Sequence, residues 1–273
     1  MSERRKVEKK SLPGVYQTTL KDGTTSYRAS MTYKNKHISL GSFAEEQKAH
    51  EAYLMANMIL SNSQLQIHDY SDKAALSFEK WVSLMNLRDN GIYFATPIYL
   101  QKSYFIYYLA LDIELKFDLD DLFYYASHKI MRRNGHLFVS DYGMQVSIPS
   151  RYGIKNYAIP GKDYLFVNQD PYDFRYENIQ IMNTYYGVSA VQKKEGTFYR
   201  ARIHIRSYYV IGYYKSALEA AIAYNKAIDI LNKNGFDKNY TINYIDEVPA
   251  SVYADIYEKL QISNKIYELK PTG

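Results

Sequence analysis

One pattern of residues occurs twice in this chain, and that duplication restricts the possible folds more than any other feature of the sequence. Gly14-Val15 returns as Gly187-Val188, Tyr27-Arg28-Ala29 as Tyr199-Arg200-Ala201, and Gly41 as Gly212. Ala49, Ala52, Tyr53 and Ala56 return as Ala220, Ala223, Tyr224 and Ala227, and Ile59-Leu60 as Ile230-Leu231. The offset falls from 173 to 172 to 171 along the two copies. Each step falls between periodic segments, as expected if one residue was lost from each of two turns.

Each copy reads as three short strands and a helix. In the first, Gly14–Thr19 is a strand, Lys21-Asp22-Gly23 a turn, Ser26–Tyr33 an alternating strand, Lys34-Asn35 a turn and His37–Phe43 a third strand. Asp-Gly between alternating segments is a strong hairpin signal. Ala44–Leu60 then carries small and apolar residues at helical spacing. The second copy predicts strands at Val188–Lys193, Phe198–Arg206 and Tyr208–Tyr214 and a helix at Ser216–Lys233, stopped by Gly235. Alternate residues of a strand share a face. Tyr27, Ala29 and Met31 are therefore assigned to the helix-covered face of the first sheet, and Arg28, Ser30 and Thr32 to the other. In the second sheet Tyr199, Ala201, Ile203 and Ile205 turn inward, and Arg200, Arg202, His204 and Arg206 outward.

Charge follows the repeats. Residues 1–36 hold nine Lys or Arg against three Asp or Glu, and residues 187–235 hold eight against three. Residues 37–186 hold thirteen against seventeen, and 236–273 four against six. Two basic blocks suit a polyanion partner, although a solvated basic face gives the same count. Arginine on an open sheet face also suits phosphates and guanine edges. The 31 tyrosines are unusual; they fit either base stacking or an AT-rich coding sequence. Cysteine is absent, which excludes a disulfide framework. The start lacks the apolar run of a signal peptide, no run approaches the roughly 18 apolar residues of a membrane span, and a cytoplasmic, nucleoid-associated protein is expected.

With Gly-Val, the Arg-Ala strand, Ile38-Ser-Leu-Gly-Ser-Phe43 and Ala49-His-Glu-Ala-Tyr53 in place, the repeat resembles the apetala / ethylene-response-factor type DNA-binding domain. The second copy, with Val210-Ile-Gly-Tyr-Tyr214 and Ala221-Ile-Ala-Tyr224, matches more loosely. The resemblance covers the two repeats and implies contact with double-stranded DNA through the outward side chains of all three strands. By position these are Tyr16, Thr18, Arg28, Ser30, Thr32, His37 and Ser39, then Ser189, Val191, Arg200, Arg202, His204, Tyr208 and Val210. Lys34, Lys193 and Arg206 join them as basic candidates. The family's tryptophans are missing from these positions, so its target sequence does not carry over.

Residues 164–183 resemble the HNH endonuclease signature, most clearly in Asp170-Pro171, Asp173, Arg175 and Glu177-Asn178-Ile179. An active member has a histidine pair just before this motif, one a general base and its neighbour a metal ligand. Here those positions are Leu165 and Phe166, and no histidine lies between 137 and 203. The resemblance implies a hairpin at His136–Ser147 packed on the motif, and a nuclease fold kept without catalysis. Arg151, Lys155 and Lys162 are candidate phosphate contacts or solvated loop residues.

The expected fold class is α+β, with two three-stranded antiparallel sheet-plus-helix modules flanking a mixed helical and degenerate HNH-like (ββα) centre. The expected segments are a basic arm at 1–13, a first module at 14–62, a mostly helical region at 63–135, a degenerate HNH-like core at 136–186, a second module at 187–235 and a C-terminal helical segment at 236–273. Helices are expected at Tyr70–Leu87, with Trp81 on the apolar side, at Leu119–Arg133, opened by Asp118 as N-cap and ended by Asn134-Gly135, and at Ser251–Leu260. Residues 94–117 show mixed periodicity and receive no assignment. The function expected is sequence-specific double-stranded DNA binding, as a transcription regulator or chromosome-associated factor reading a bipartite site. No cofactor, metal, catalytic residue or small-molecule substrate is expected. A homing-type HNH endonuclease and an RNA-binding or protein-interaction module are the alternatives.

Overall fold

The computed structural model describes residues 11–271 of the 273. The arginines and lysines of the expected basic arm lie outside the described residues. The protein is α+β, built from small antiparallel sheets and helices. It divides into two compact units: residues up to Ser147 together with Pro171–Tyr176, and Ile148–Asp170 together with Glu177 onward.

In the first unit, β1 (Val15–Thr19), β2 (Thr25–Tyr33) and β3 (Lys36–Phe43) form one sheet in that order, followed by α1 (Glu46–Ser61). Lys34 and Asn35, at φ 46° and 64°, make the tight turn between β2 and β3. Register shifts between Ala29 and Ser30, leaving Leu40 as an extra residue on β3. The inner sheet face is Val15, Ala29, Met31, Ile38 and Leu40, all buried. Against it lie Ala49, Ala52, Ala56 and Ile59 of α1, every one at 0% exposure. Three alanines on one stripe let the helix lie close to the strands, and close packing of the apolar faces stabilises the module.

α2 (Phe78–Asn90) starts later than the periodicity predicts. The Ser77 hydroxyl accepts the Lys80 N–H and caps the helix there, and Gly91 at φ 74° ends it. Trp81 is buried, as expected of its apolar side.

The region 63–135 is not mostly helical. Beyond α2 comes a meander of β4 (Ile98–Leu100), β5 (Tyr104–Ala110) and β6 (Ile113–Asp118). Phe105, Ile106, Tyr107 and Tyr108 are consecutive and all buried. Tyr108 meets Phe78 edge-on, while Phe105 stacks on Phe117 and Phe117 on Tyr125. A strand covered on both faces loses the alternation that reveals a strand, which is why 94–117 resisted assignment. The helix expected over Leu119–Arg133 is only α3 (Leu122–Ser127), followed by β7 (Ile130–Arg133). β7, β8 (His136–Asp141) and β9 (Met144–Ser147) form another meander. Asn134-Gly135, at φ 49° and 81°, is the two-residue hairpin loop joining β7 to β8, not a helix stop. Asp118 makes no side-chain cap; its carboxylate accepts the Tyr176 N–H at 2.7 Å instead.

The segment Pro171–Tyr176 belongs to this first unit. Tyr172 carbonyl accepts the Lys116 N–H and the Lys116 carbonyl accepts the Phe174 N–H, a short parallel pairing with β6. Phe174 is buried and stacks on Phe117.

The second unit opens with α4 (Ile148–Arg151), and β10 (Tyr164–Phe166) pairs with β11 (Ile179–Ile181). The expected core at 136–186 is thus divided, since β8 and β9 belong to the first unit. The second repeat gives β12 (Val188–Lys193), β13 (Gly196–His204), β14 (Tyr208–Tyr214) and α5 (Ala217–Lys233), with the same strand order. Its register shifts between Ala201 and Arg202, so Ile211 is the extra residue that matches Leu40. Ser216 and Glu219 form a capping box at the start of α5. At its end the Gly235 N–H bonds the Asn232 carbonyl and the Phe236 N–H the Leu231 carbonyl, a Schellman closure around Gly235.

The C-terminal segment is helical only in α6 (Ala250–Lys259) and α7 (Asn264–Glu268). Polar side chains of α5 clamp it. The Asn225 amide donates to the Asn243 carbonyl and accepts the Asn243 N–H. Lys226 donates to the carbonyls of Tyr257 and Leu260 at the end of α6. Among the described residues no helix is long and apolar enough to cross a membrane.

Candidate nucleic-acid interface

The second sheet turns its odd-numbered β13 residues toward α5: Ala201 and Ile203 are buried, and Tyr199 packs against the same core. The even-numbered residues therefore form the other face. Pairing places Ser189 and Tyr213 on either side of Arg200, Val210 beside Arg202, and Tyr208 beside His204. Arg200 and Arg202 are half-buried, and His204 is exposed. The Arg200 guanidinium donates to the Ser189 hydroxyl at 3.4 Å, and its Nε is buried without a hydrogen-bond partner. The Arg202 guanidinium lies 4.3 Å from the Tyr208 ring centre. The His204 ring meets the same tyrosine edge-on at 4.9 Å. Lys193 sits over Tyr213 at 3.7 Å and over Phe198 at 5.0 Å. Among the described residues, no carboxylate lies within ion-pair distance of Arg200, Arg202 or Lys193. The face thus carries cations held in place by aromatic rings rather than by acids.

Arg206 departs from expectation. β13 ends at His204, and the chain reverses where the Ile205 N–H bonds the Ser207 carbonyl. Arg206 is exposed in that turn instead of extending the row. Tyr208 is 63% and Val210 42% exposed, and Val191 is half-buried. Tyr213 and Phe198 were not among the expected contacts. The extra residue Ile211 reverses the parity of β14, which turns Tyr213 outward, and strand alternation alone cannot reveal a bulge.

The first sheet carries fewer charges. Tyr16 stands opposite Arg28, Thr32 opposite His37, and Ser30 opposite Ser39. Tyr16 is 63% exposed. Arg28, Thr32, His37 and Ser39 are exposed, and Thr18 is half-buried. Ser30, expected to project, is only 8% exposed. Its N–H is bonded to the Gly14 carbonyl, and its short side chain stays sunk between the flanking strands. The equivalent residue of the second repeat is Arg202, whose N–H bonds the Gly187 carbonyl in the same way. One backbone position thus carries a side chain that reaches out in one copy and one that does not in the other. Lys34 lies in the turn, off the sheet face, with its ammonium 5.4 Å from the Tyr33 ring.

The segment 164–183 is braced by its own polar residues. Asp173, fully buried, receives two hydrogen bonds from the Arg175 guanidinium, at 2.9 and 2.6 Å. Arg175 in turn lies 5.0 Å from the Tyr104 ring centre. The Asn178 side chain accepts the Asn168 N–H at 2.8 Å. Leu165 and Phe166 lie in β10, opposite Gln180 and Ile179. His128 sets one ring nitrogen against the Tyr124 carbonyl at 2.8 Å and the other 3.5 Å from the Asp141 carboxylate. Among the described residues no group of three His, Cys, Asp or Glu side chains is placed to hold a metal ion.

Elsewhere in the second unit, the Tyr185 hydroxyl donates to Glu247. Burial and that carboxylate raise the phenol, and the bond holds Glu247 below the usual carboxylate range. Burial likewise raises Tyr157. No family model, curated relative or solved structure matches the chain.

Proposed function

We propose that this protein binds double-stranded DNA sequence-specifically, using the helix-free faces of its two repeat sheets, and acts as a transcription regulator or chromosome-associated factor. The carrying observation is the pair Arg200 and Arg202, half-buried on an open face with no carboxylate partner among the described residues. A partly desolvated cation without a carboxylate partner is costly in a protein that uses the face for nothing. Phosphate oxygens and the O6 and N7 atoms of guanine supply acceptors. Two residues apart on a strand, the two arginines project about 7 Å from one another, a spacing of roughly two base steps. The resemblance of the repeats to the apetala / ethylene-response-factor type domain points to the same face.

Two linked modules would read two neighbouring segments, and linkage raises the effective concentration of the second. No catalytic step follows from the nuclease-like motif, because leucine and phenylalanine at its histidine positions can neither take a proton nor hold a metal.

Selection from a random duplex pool with Mg²⁺ present, with product ends checked on a gel, tests this. A recovered bipartite motif on intact DNA supports it, and specific nicking overturns the non-enzymatic part. The exposed rings of Tyr16 and Tyr208 favour a second reading, single-strand binding by base stacking. Competition of single-stranded RNA and DNA against the selected duplex discriminates the two.

A further inference from the structure

Beside the second sheet, within the same compact unit, is a cleft of about 230 Å³. Lys162, Arg202 and His204 bring donors to it, and Tyr157, Tyr186 and Tyr208 bring aromatic surface. Its carboxylate, Asp163, is already occupied: one oxygen accepts the Ile159 N–H at 2.9 Å and the other the Asn183 amide at 3.1 Å. Two cations, Lys162 and Arg202, stand against that one carboxylate, and Arg202 is held in place by the Tyr208 ring. Tyr157 and Tyr186 meet edge-on at 4.7 Å and fix one wall. The volume is below the roughly 300–1,000 Å³ of drug-sized ligand sites, so the cleft, open on one side, takes no more than one nucleotide and not an extended ligand.

We propose that this cleft receives a single nucleotide, its phosphate held by Arg202 and Lys162 and its base against the tyrosines. The inference rests on the DNA-reading proposal to the extent that Arg202, His204 and Tyr208 serve both the sheet face and the cleft. A nucleotide can come from two sources: one turned out of the bound duplex, or a free mononucleotide. Turning a base out costs least where it is already unpaired, so a bulge is the sensitive probe.

The full chain is titrated with a duplex that is fully paired, one with a single adenine bulge stepped through it, and one with an abasic residue at the bulge, and separately with deoxyadenosine monophosphate. A bulge at one position is expected to tighten binding about tenfold over the paired duplex, and the abasic residue to lose that gain. Lys162→Ala, and Ile159→Trp, which fills the cleft from its exposed rim, should each bring the bulged-to-paired ratio back to one. Binding of the monophosphate alone, lost in both variants, supports the free-nucleotide source. A gain that persists in both variants overturns the proposal. So does an absent gain together with an absent monophosphate signal; if the paired duplex still binds, the sheet-face proposal stands. Monophosphate binding without any duplex binding supports the cleft and overturns the sheet face.

Discussion

Gly14 lies so close to the ring of Tyr53 that a Cβ on it would fall 2.1 Å from a ring carbon, and Gly187 repeats the relationship with Tyr224 at 2.4 Å. Both glycines are in the left-handed region, at φ 76° and 74°. The duplicated Gly-Val and Ala-Tyr pairs are thus one contact made twice, where the first strand enters under the helix. Alanine at either glycine combines strain in φ with a steric clash, and each substitution should destabilise its unit by about 2–4 kcal/mol. The second site differs, because the Arg202 carbonyl also stands 2.7 Å from the added Cβ. Tyr53→Ala should therefore relieve part of Gly14→Ala, while Tyr224→Ala should relieve little of Gly187→Ala. Urea unfolding in a double-mutant cycle measures this; equal coupling at both sites would contradict it.

The repeats were legible because their signals are local: strand alternation, Asp-Gly and Lys-Asn turns, and alanines at helical spacing. Every strand and helix of both copies lies within a few residues of its expected place. The middle was not, because its information is tertiary. β5 is buried on both faces, so its pattern is a continuous apolar run. Asn134-Gly135 serves equally as a helix stop and a hairpin loop, and only the pairing with β8 decides. The candidate contacts were legible as far as alternation reaches. The bulges at Leu40 and Ile211 then change parity, which conceals Tyr213, and side-chain length, not position, sinks Ser30.

Arginine dependence should be unequal between the modules. Arg202→Ala is expected to weaken binding to a selected duplex by about 1–3 kcal/mol if it reads a base, and Arg200→Ala likewise. Tyr208→Ala removes the ring that orients Arg202 and should lose part of the same energy, whereas Tyr208→Phe should not. Arg28→Ala in the first sheet should cost less, since its neighbour Ser30 adds no reach. Anisotropy titrations at fixed salt decide, and unchanged affinity in the Arg200→Ala, Arg202→Ala double variant would falsify the sheet-face model.

Asp173 and Arg175 should prove structural. A fully buried carboxylate that loses a guanidinium bonded to both its oxygens is costly, by up to about 3–5 kcal/mol. Arg175→Ala should therefore lower the thermal midpoint of the first unit, and Asp173→Asn should soften the effect by removing the charge. Leu165→His with Phe166→His should yield no Mg²⁺-dependent cleavage of duplex DNA. Cleavage by that variant would show the nuclease geometry to be intact.

Alkaline pH should unfold the second unit before the ordinary tyrosine titration is complete. Burial pushes the Tyr214 hydroxyl up to about 12, and it donates to the Gln261 carbonyl at 3.0 Å. Tyr257 is raised first by burial and then by its 2.7 Å hydrogen bond to Asp229, and Tyr185 by burial and then Glu247. A phenol raised in the folded state contributes stability that is fully present below the ordinary value of 10 and is lost as pH rises through the folded value. The second unit should accordingly hold through pH 10 and lose stability progressively toward pH 12. Tyrosinate absorbance should lag a free-tyrosine curve and then rise together with the loss of helical ellipticity. Tyr257→Phe removes one such group and should flatten the alkaline decline. The Tyr185–Glu247 bond acts at the other end as well: a lowered carboxylate contributes above its ordinary range and is lost as pH falls through the folded value, so Tyr185→Phe should lower the stability plateau and flatten the decline on both the alkaline and the acid side. A free-tyrosine absorbance curve in the folded protein would refute the assignment.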